Sequence, residues 1–370
     1  MTDKAYRQAL ELLEASPLVD AHNDLPYVIR ADPQAKGDVA AYRMQERRGS
    51  GDTDIPRLRE GRVSAQFWAA FVPPKEPRPA SYALQQIALI RHMNETHADV
   101  FLPAFCADDV ERARRAGKIA SFIAIENGAA IENRLDALDA YYHLGVRLMT
   151  LCHNATLDWC DAATDTARSN GLSAFGVEAI ARMNDLGMIV DCAHVSDAAM
   201  HRALDVSRAP IVFSHSNARA LCDHKRNVPD DVLARVAGKG ALVMATFVPD
   251  FIRRGSQDWT ATLQRAFGGS ADGFDNSAQA GATENATPSR GTLGQYCDHL
   301  DYLKMKVGPD HIGIGSDFFG GPQGEGLKDA ACFPHIFAEL IRRGWPQTHL
   351  KKLAGENFLR VFRAVEKARP

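Results

Sequence analysis

Histidine and carboxylate side chains follow several short apolar runs of the sequence, and their types suit the binding of metal ions. Residues 18–26 (Leu-Val-Asp-Ala-His-Asn-Asp-Leu-Pro) begin apolar and end in a His-x-Asp pair, His22 and Asp24. In a strand, residues two apart point to the same face, so these two side chains are expected to converge. Ligand-type residues also end three further apolar runs, at Glu126, His194 and His215. The pattern predicts strands that each deliver a ligand to one shared site.

These five residues are enough to hold two metal ions. Imidazole and carboxylate ligands without thiolate are typical of hydrolytic zinc sites that keep positions open for water. Two ions about 3.5–4 Å apart need a bridging group, and a carboxylate with two oxygens can bridge. Glu126 is the spare carboxylate at a ligand-like position ahead of the last predicted strand. The prediction is therefore two zinc ions per chain, with Glu126 between them.

Three further residues suit proton transfer and substrate binding. Asp317 ends the run at 312–316 and would be free to take a proton from metal-bound water and pass it to the leaving group. His153 follows another apolar run and suits polarisation of a scissile carbonyl or its oxyanion. Arg226 lies just past His215 in the chain and suits a bidentate contact with a substrate carboxylate.

Each of these residues has a structural alternative when taken alone. A histidine at a strand end often lies at the surface, Asp24 can end a strand beside Pro26, and Glu126 can belong to the Asn-Gly turn that follows it. Asp317 can cap a helix, and Arg226 can be solvated. Six of the eight predicted strands end in a ligand-type residue, and this joint occurrence favours the metal site over separate accidents.

The apolar runs alternate with segments that have a helical period. The eight candidate strands are 18–25, 64–72, 120–126, 146–153, 188–194, 210–215, 241–248 and 312–318. The helical segments between them include 83–95, 133–144, 176–186, 197–206, 229–237 and 292–307. Eight such units predict an α/β fold, a TIM-like (β/α)8 barrel with loop insertions, whose site lies at the carboxyl ends of its strands. We expect one domain over residues 1–370.

Three polar stretches interrupt this alternation, at 31–62, 159–172 and 268–291. The last is nearly devoid of large apolar residues and is predicted to be a surface loop near the mouth of the barrel.

Bulk properties exclude several kinds of partner. The 370 residues are 45% hydrophobic, and 43 basic and 46 acidic residues give a net charge of -3, which argues against nucleic acid and anionic membranes. The amino terminus lacks a signal-peptide layout, and the sequence offers no membrane span or carboxyl-terminal anchor signal. Seven cysteines without a C-x-x-C pair are interpreted as reduced thiols. We therefore expect a cytoplasmic protein without a membrane anchor.

Together, the motifs resemble the membrane (renal) dipeptidase family, the M19 peptidases of the amidohydrolase superfamily. The matching segments run in family order from residue 20 to 361 and include Asp-Ala-His-Asn-Asp-Leu-Pro at 20–26, Ile-Glu-Asn-Gly at 125–128, Leu-Cys-His-Asn at 151–154, Asp-Cys-Ala-His-Val-Ser at 191–196, Phe-Ser-His-Ser at 213–216, Arg-Asn-Val-Pro-Asp-Asp at 226–231, Gly-Ile-Gly-Ser-Asp-Phe at 313–318 and Gly-Glu-Asn-Phe-Leu-Arg-Val at 355–361.

The resemblance implies a binuclear zinc barrel that hydrolyses dipeptides. One ion would be held by His22, Asp24 and Glu126, and the other by Glu126, His194 and His215. It further implies that His153, Arg226 and Asp317 contact the substrate. Arg226 would bind the carboxyl-terminal carboxylate and Asp317 would act as acid and base.

The chain departs from the family pattern at three places. Ala21 stands where the family usually has Gly, and Phe319 stands where an Asp usually follows the Asp-Phe pair. The seventh predicted strand ends in Thr-Phe-Val at 246–248, where an Asn-Phe-Tyr type of ending is common. These changes bear on the substrate pocket rather than on the metal ligands.

The sequence thus predicts a zinc-dependent metallo-dipeptidase that uses a metal-bridging hydroxide. The resemblance implies L,D- as well as L,L-dipeptides as candidate substrates. One alternative is an amidohydrolase that cleaves N-acyl amino acids or a related amide or lactam. Another, from a different functional class, is a barrel that binds ligands without turnover. A small dipeptide is the expected partner, and a homodimer is kept open as the assembly.

Overall fold

The computed structural model describes residues 3–255 and 291–370 of the chain. Apart from Gly291, the predicted surface loop at 268–291 lies outside the described residues. The strands of the described part are β1 Leu18–Asn23, β2 Val63–Phe71, β3 Phe101–Pro103, β4 Ile119–Glu126, β5 Val146–Thr150, β6 Ile189–Asp191, β7 Val212–Phe213, β8 Leu242–Ala245 and β9 Ile312–Ile314.

Helices fill most of the sequence between the strands. The α-helices of the described part are α1 Lys4–Ala15, α2 Leu25–Ala31, α3 Val39–Tyr42, α4 Ile55–Glu60, α5 Pro79–Thr96, α6 Asp108–Arg115, α7 Leu135–His143, α8 Ala174–Leu186, α9 Asp197–Val206, α10 Asp230–Val236, α11 Pro249–Ile252, α12 Leu293–Val307, α13 Phe333–Arg342, α14 Gln347–Lys351 and α15 Asn357–Lys367. None of the helices among the described residues is long and apolar enough to cross a membrane.

The strands form a closed parallel barrel. The sheet runs in the order β2-β1-β9-β8-β7-β6-β5-β4-β3, and pairing of β2 with β4 closes it. All of the strand pairs are parallel, and β3 pairs with the start of β4 outside the closed ring. Eight strands therefore line the barrel, and the predicted (β/α)8 fold is confirmed.

Local sequence signals explain where several helices begin and end. The Ser173 side chain accepts the backbone N–H of Gly176 at the start of α8, and Gly187 ends that helix in a left-handed conformation. Helix α12 begins with a reciprocal capping box between Thr292 and Gln295. These signals fix the helix ends that lead into and out of the strands.

Two apolar clusters hold the barrel. The larger lies between the strands and the outer helices, and the smaller fills the barrel interior with Val19, Ala21 and Phe67. The ring of Phe67 stacks on Phe122 with centroids 4.5 Å apart, and Phe362 of α15 packs edge-on against both rings. Helix α15 thus closes the amino-terminal end of the barrel, and the carboxyl-terminal end remains for a site.

The structure corrects several boundaries expected from the sequence. The last five barrel strands are shorter than predicted, and the predicted excursion at 31–62 contains helices α3 and α4. Strand β3 and helices α1, α6, α13 and α15 were missed. Asp24 lies just beyond β1 and precedes α2. The prediction that Asp24 belongs to the first strand is therefore wrong. The pairing of β1 with β2 also shifts between Asp20 and Asn23, as at a β-bulge that re-aims side chains.

Candidate metal centre

Glu126, at the end of β4, lies at the centre of the predicted ligands. Its Oε2 is 3.5 Å from Nε2 of His22, and that nitrogen is 3.4 Å from Oδ2 of Asp24. Its other oxygen, Oε1, is 3.0 Å from Nε2 of His194 and 3.7 Å from Nε2 of His215. The two oxygens of one carboxylate therefore face different imidazoles, His22 on one side and His194 with His215 on the other.

The donor set fits divalent metal ions. Nε2 of His194 and Nε2 of His215 lie 2.9 Å apart and both face Glu126. Both nitrogens of His22 and Oδ1 of Asp24 are buried without a hydrogen-bond partner among the described residues. Buried polar atoms without partners are costly. Cations at this place would satisfy several of these atoms at once.

The ligand atoms fall into three overlapping triads, each with its atoms within 4.8 Å of one another. These are His22, Glu126 and His215; Glu126, His153 and His194; and His22, Asp24 and Asp317. The structure thus brings all five predicted metal ligands together, and His153 and Asp317 lie beside them.

The pKa values of the three histidines around Glu126 are shifted in opposite directions. Burial lowers the pKa of His194 and His215 well below the ordinary value, and the Arg226 charge acts in the same direction. Burial also acts to lower the pKa of His22, but the carboxylates of Glu126 and Asp24 outweigh it and raise that pKa well above the usual range. Neutral His194 and His215 suit metal binding, because a ligating imidazole needs a free lone pair.

Asp317 follows β9 and faces His22. Its Oδ1 is 3.8 Å from Nε2 of His22. Burial raises the pKa of Asp317 to about 7, and the charges of Asp24 and Glu126 add to this effect. A Cβ at Gly320 would lie 2.0 Å from Oδ1 of Asp317, so the absence of a side chain at 320 makes room for the carboxylate.

Arg226 brings a buried positive charge to the same cavity. The residue is 3% exposed, and its Nη1 has no hydrogen-bond partner among the described residues. Burial lowers its pKa to about 10, so the guanidinium stays charged at neutral pH. A buried, charged donor of this kind is suited to receive a carboxylate from a ligand.

His153 connects the metal ligands to the wall of the cavity. Its Nε2 is 3.7 Å from Oε1 of Glu126, and its ring lies 4.1 Å from that of His194 and 4.9 Å from that of Phe71. The side chain therefore stands between the ligand cluster and the aromatic wall of the cavity.

The cluster opens into a cavity of about 460 Å³, within the size range of small-molecule sites. Phe319 and Val248 line it, whereas Ala21 packs in the barrel interior. All three departures from the family pattern were predicted to bear on the substrate pocket. For Ala21 that interpretation is wrong. The described lining residues are Asp24, Tyr27, Phe71, Glu126, His153, Asn154, Thr164, His194, His224, Arg226, Val248, Phe251, Asp317, Phe319 and Gly320.

Sequence reasoning missed the residues that hold the ligands in place. Nδ1 of His194 is hydrogen-bonded to Oδ1 of Asn154, 2.9 Å away. Nδ1 of His215 lies 2.8 Å from the Ser214 hydroxyl. Both partners are sequence neighbours of predicted site residues, and this adjacency was the available signal. Polar residues next to a ligand are common for many other reasons.

Comparison with known proteins agrees with the geometry. A family model described as membrane dipeptidase (peptidase family M19) matches residues 6–370. The chain is 34% identical to Dipeptidase 3 of Rattus norvegicus over 371 residues, which cover 98% of this chain and 68% of the relative.

Two solved structures show the same architecture. The probable dipeptidase PvdM from Pseudomonas aeruginosa is 28% identical, with a TM-score of 0.84 and complete coverage of both chains. A metallo peptidase from Rhodobacter sphaeroides shares the fold with a TM-score of 0.77 at 22% identity, over 95% of this chain and 99% of that one.

Proposed function

The chain belongs to the membrane dipeptidase family, peptidase family M19, and is a metallo-dipeptidase, and we propose that it binds two zinc ions and hydrolyses L,L- and L,D-dipeptides. The observation that carries the proposal is the division of Glu126 between two ligand groups, since each of its oxygens faces a different set.

The first ion would be held by His22, Asp24 and Glu126, and the second by Glu126, His194 and His215. The close approach of their donor atoms supports this assignment. When bound, such ions act as Lewis acids on the scissile carbonyl and on water. Zinc is favoured because imidazole and carboxylate donors without thiolate are typical of hydrolytic zinc sites.

Asp317 would move the proton. Its carboxylate would accept a proton from the attacking water and deliver it to the nitrogen of the leaving amine. Its place supports this role, because Oδ1 of Asp317 lies 3.8 Å from Nε2 of His22, beside the ligand cluster and within reach of an attacking water.

Arg226 and His153 would hold the dipeptide across the cluster. The buried guanidinium of Arg226 would receive the carboxyl-terminal carboxylate, and its unpartnered Nη1 supports this contact. Nε2 of His153 would face the scissile carbonyl and stabilise the charge that develops on its oxygen. The distance between the carboxylate anchor and the metal cluster would set how many residues lie on the carboxyl-terminal side of the scissile bond.

The stereochemical part of the proposal concerns the carboxyl-terminal residue. The Rhodobacter sphaeroides metallo peptidase was solved liganded with a phosphinate mimic of the dipeptide L-Ala-D-Ala. We propose that this chain also accepts a D-residue at the carboxyl-terminal position of the dipeptide. Side-chain preference would depend on Tyr27, Val248 and Phe319, which line the cavity.

One observation keeps N-acyl amino acids as a second candidate substrate class. The carboxylates among the described residues of the cavity are Asp24, Glu126 and Asp317, and the proposed chemistry uses all three. No described carboxylate is therefore reserved for a free amino group. A substrate whose amino group is acylated would fit the same contacts.

The test is a substrate panel on the zinc-loaded enzyme. It compares L,L- and L,D-dipeptides with tripeptides, N-acetylated dipeptides and N-acyl amino acids, and zinc per chain is measured by elemental analysis. We expect free dipeptides to have the highest kcat/KM of these substrates. Faster cleavage of N-acyl amino acids would replace it with the second candidate.

Removing the carboxylate anchor tests the binding mode. Arg226→Ala should lower kcat/KM for dipeptides roughly 10- to 100-fold, mainly through KM, because a hydrogen bond to a charged group contributes about 1.5–3 kcal/mol. Lys225→Ala is the matched control, since it removes one positive charge from an exposed neighbour. Dipeptide amides, which lack the carboxylate, should be insensitive to Arg226→Ala. An equal loss on amides and free dipeptides would contradict the anchor.

A further inference from the structure

We infer that Asp191 and Ser214 are positioning residues that fix which nitrogen of His215 carries the proton, so that the Nε2 lone pair faces the metal. The inference rests on the proposed metal centre and concerns residues to which neither the family match nor the proposed chemistry gives a role. It follows from the hydrogen bonds around a fully buried carboxylate.

Asp191, at the end of β6, accepts four hydrogen bonds. Its Oδ1 accepts the backbone N–H of Ser214 at 2.8 Å and that of Ala193 at 3.0 Å. Its Oδ2 accepts the hydroxyls of Ser214 and Thr150, each at 2.6 Å. Because Asp191 and Ser214 are both 0% exposed, water does not compete for these bonds. The carboxylate thus joins β5, β6 and the end of β7.

This arrangement fixes the position of one proton. A serine hydroxyl has one proton to donate, and Ser214 donates it to the carboxylate of Asp191. The same hydroxyl oxygen lies 2.8 Å from Nδ1 of His215, so Nδ1 must be the donor in that contact. A neutral imidazole carries one N–H. The proton is therefore on Nδ1, and Nε2 keeps its lone pair.

The partner histidine is oriented in the same sense by a different group. Nδ1 of His194 donates to Oδ1 of Asn154, which leaves the lone pair of its Nε2 free as well. The two Nε2 atoms then lie 2.9 Å apart with lone pairs facing the same space. That contact is repulsive unless a cation lies there, so the proton positions are organised for a metal ion before it binds.

The chain contains its own control for this inference. Asp20 on β1 accepts the backbone N–H and the hydroxyl of Ser316, each at 2.7 Å, in the same two-oxygen pattern. It also accepts the N–H of His22 at 3.4 Å and the Gln66 amide at 2.9 Å. The other oxygen that the Ser316 hydroxyl approaches is the His22 carbonyl. Ser316 therefore makes the same strand contact without touching an imidazole.

The experiment compares Ser214→Ala with Ser316→Ala. Zinc bound per chain is measured across a series of chelator-buffered free Zn²⁺ concentrations, which gives an apparent Kd for each ion. Ser214→Ala should weaken one of the two ions about 10- to 100-fold, the usual effect of losing an outer-layer partner of a ligating histidine. Ser316→Ala should change either Kd less than about threefold, and Ser214→Thr, which keeps the hydroxyl, should restore tight binding.

A second variant tests the direction of the hydrogen bonds. In Asp191→Asn, the backbone N–H groups of Ser214 and Ala193 hold the amide oxygen at the Oδ1 position, so the amide NH₂ faces the Ser214 hydroxyl. That hydroxyl would then donate to Nδ1 of His215 and move the imidazole proton to Nε2. This variant keeps side-chain shape and should still weaken one ion by at least the factor seen for Ser214→Ala.

Three results would overturn the inference: equal losses of zinc affinity in Ser214→Ala and Ser316→Ala, no loss in either, or wild-type affinity in Asp191→Asn. The unfolding midpoints of the metal-free variants separate effects on stability from effects on metal binding. The midpoints of Ser214→Ala and Ser316→Ala should both be lower than that of the wild type, by similar amounts. If the wild type binds two zinc ions but cleaves no dipeptide, the proposed substrate fails while the inference about His215 stands.

Discussion

Two buried aspartates join strand ends on the two sides of the candidate metal centre, each through a matching pair of hydrogen bonds from a serine. We call Asp20 with Ser316 the first tie, and Asp191 with Ser214 the second tie. In each, one oxygen accepts the serine N–H and the other accepts the serine hydroxyl. The residue after the serine differs. Asp317, the proposed proton carrier, follows the first tie, and His215, a proposed metal ligand, follows the second.

The difference lies in what each serine does beyond the tie. Ser214 contacts the ring of His215, whereas Ser316 contacts backbone atoms. Nδ1 of His22, beside the first tie, has no hydrogen-bond partner among the described residues, while Nδ1 of His194 and Nδ1 of His215 are both hydrogen-bonded. The same aspartate–serine arrangement therefore has two effects. The first tie holds backbone atoms of His22, and the second tie determines which nitrogen of His215 carries the proton.

The largest effect is expected where the two sides share a residue. Glu126→Ala removes the carboxylate that faces both ligand groups, so both zinc ions and measurable dipeptide hydrolysis should be lost together. Glu126→Gln keeps one oxygen acceptor and should retain at most one ion per chain. Elemental analysis and activity on the same samples test this. Retention of two ions by Glu126→Ala would show that the two sides bind metal independently.

The next effect separates chemistry from metal binding on the first side. Asp317→Asn should keep both zinc ions and lower kcat about 10²- to 10⁴-fold, the usual contribution of a positioned acid or base. KM should change little, because Arg226 would still hold the substrate carboxylate. Steady-state kinetics and zinc analysis are the measurements. A kcat near that of the wild type would remove Asp317 from proton transfer.

The smallest effect concerns the pH dependence of the first tie. Burial raises the pKa of Asp20 to about 6 from 3.8, and its hydrogen bonds with Ser316 and Gln66 oppose this shift only in part. Between these values the folded protein holds the proton that the unfolded chain has released. As pH rises from about 4 to about 6, the free energy of unfolding should therefore fall by up to roughly 3 kcal/mol relative to Asp20→Asn.

Denaturant unfolding of the metal-free wild type and Asp20→Asn, at several pH values in this window, gives that difference. The asparagine variant has no such titration, so the two stability curves should converge or cross as the wild type loses its proton. Parallel curves would mean that the proton on Asp20 has no part in stability.

The sequence predicted the barrel and which ligand-type side chains lie together at its mouth, because both follow from the order of apolar runs along the chain. Apolar runs alternate with helical segments, and a ligand at the end of a parallel strand must lie near the ligands of the other strands. For Glu126 and His215, the position at the end of an apolar run was enough to predict that the two side chains lie close together. Short elements such as β3 were missed because three residues carry too little pattern.

The support of the site could not be predicted in the same way. Asp20 and Ser316 are 296 residues apart, and Asp191 and Ser214 are 23 apart, so both ties depend on which strands become neighbours. Asp24 was expected to share a strand with His22, yet it lies beyond a shift in the pairing of β1. The register shift belongs to the pairing of two strands, whereas the start of α2 after Asp24 agrees with the local signal of Pro26 at the first turn of that helix.

The backbone at the barrel mouth has a consequence for selection. His194 and Asp317 have φ values of 69° and 61°, the left-handed region that most side chains avoid at a cost of roughly 1–2 kcal/mol each. A library of this chain selected for heat tolerance alone would favour glycine or asparagine at both positions. The sequence therefore keeps two residues that are locally unfavourable for stability, which agrees with the roles proposed for His194 in metal binding and for Asp317 in proton transfer.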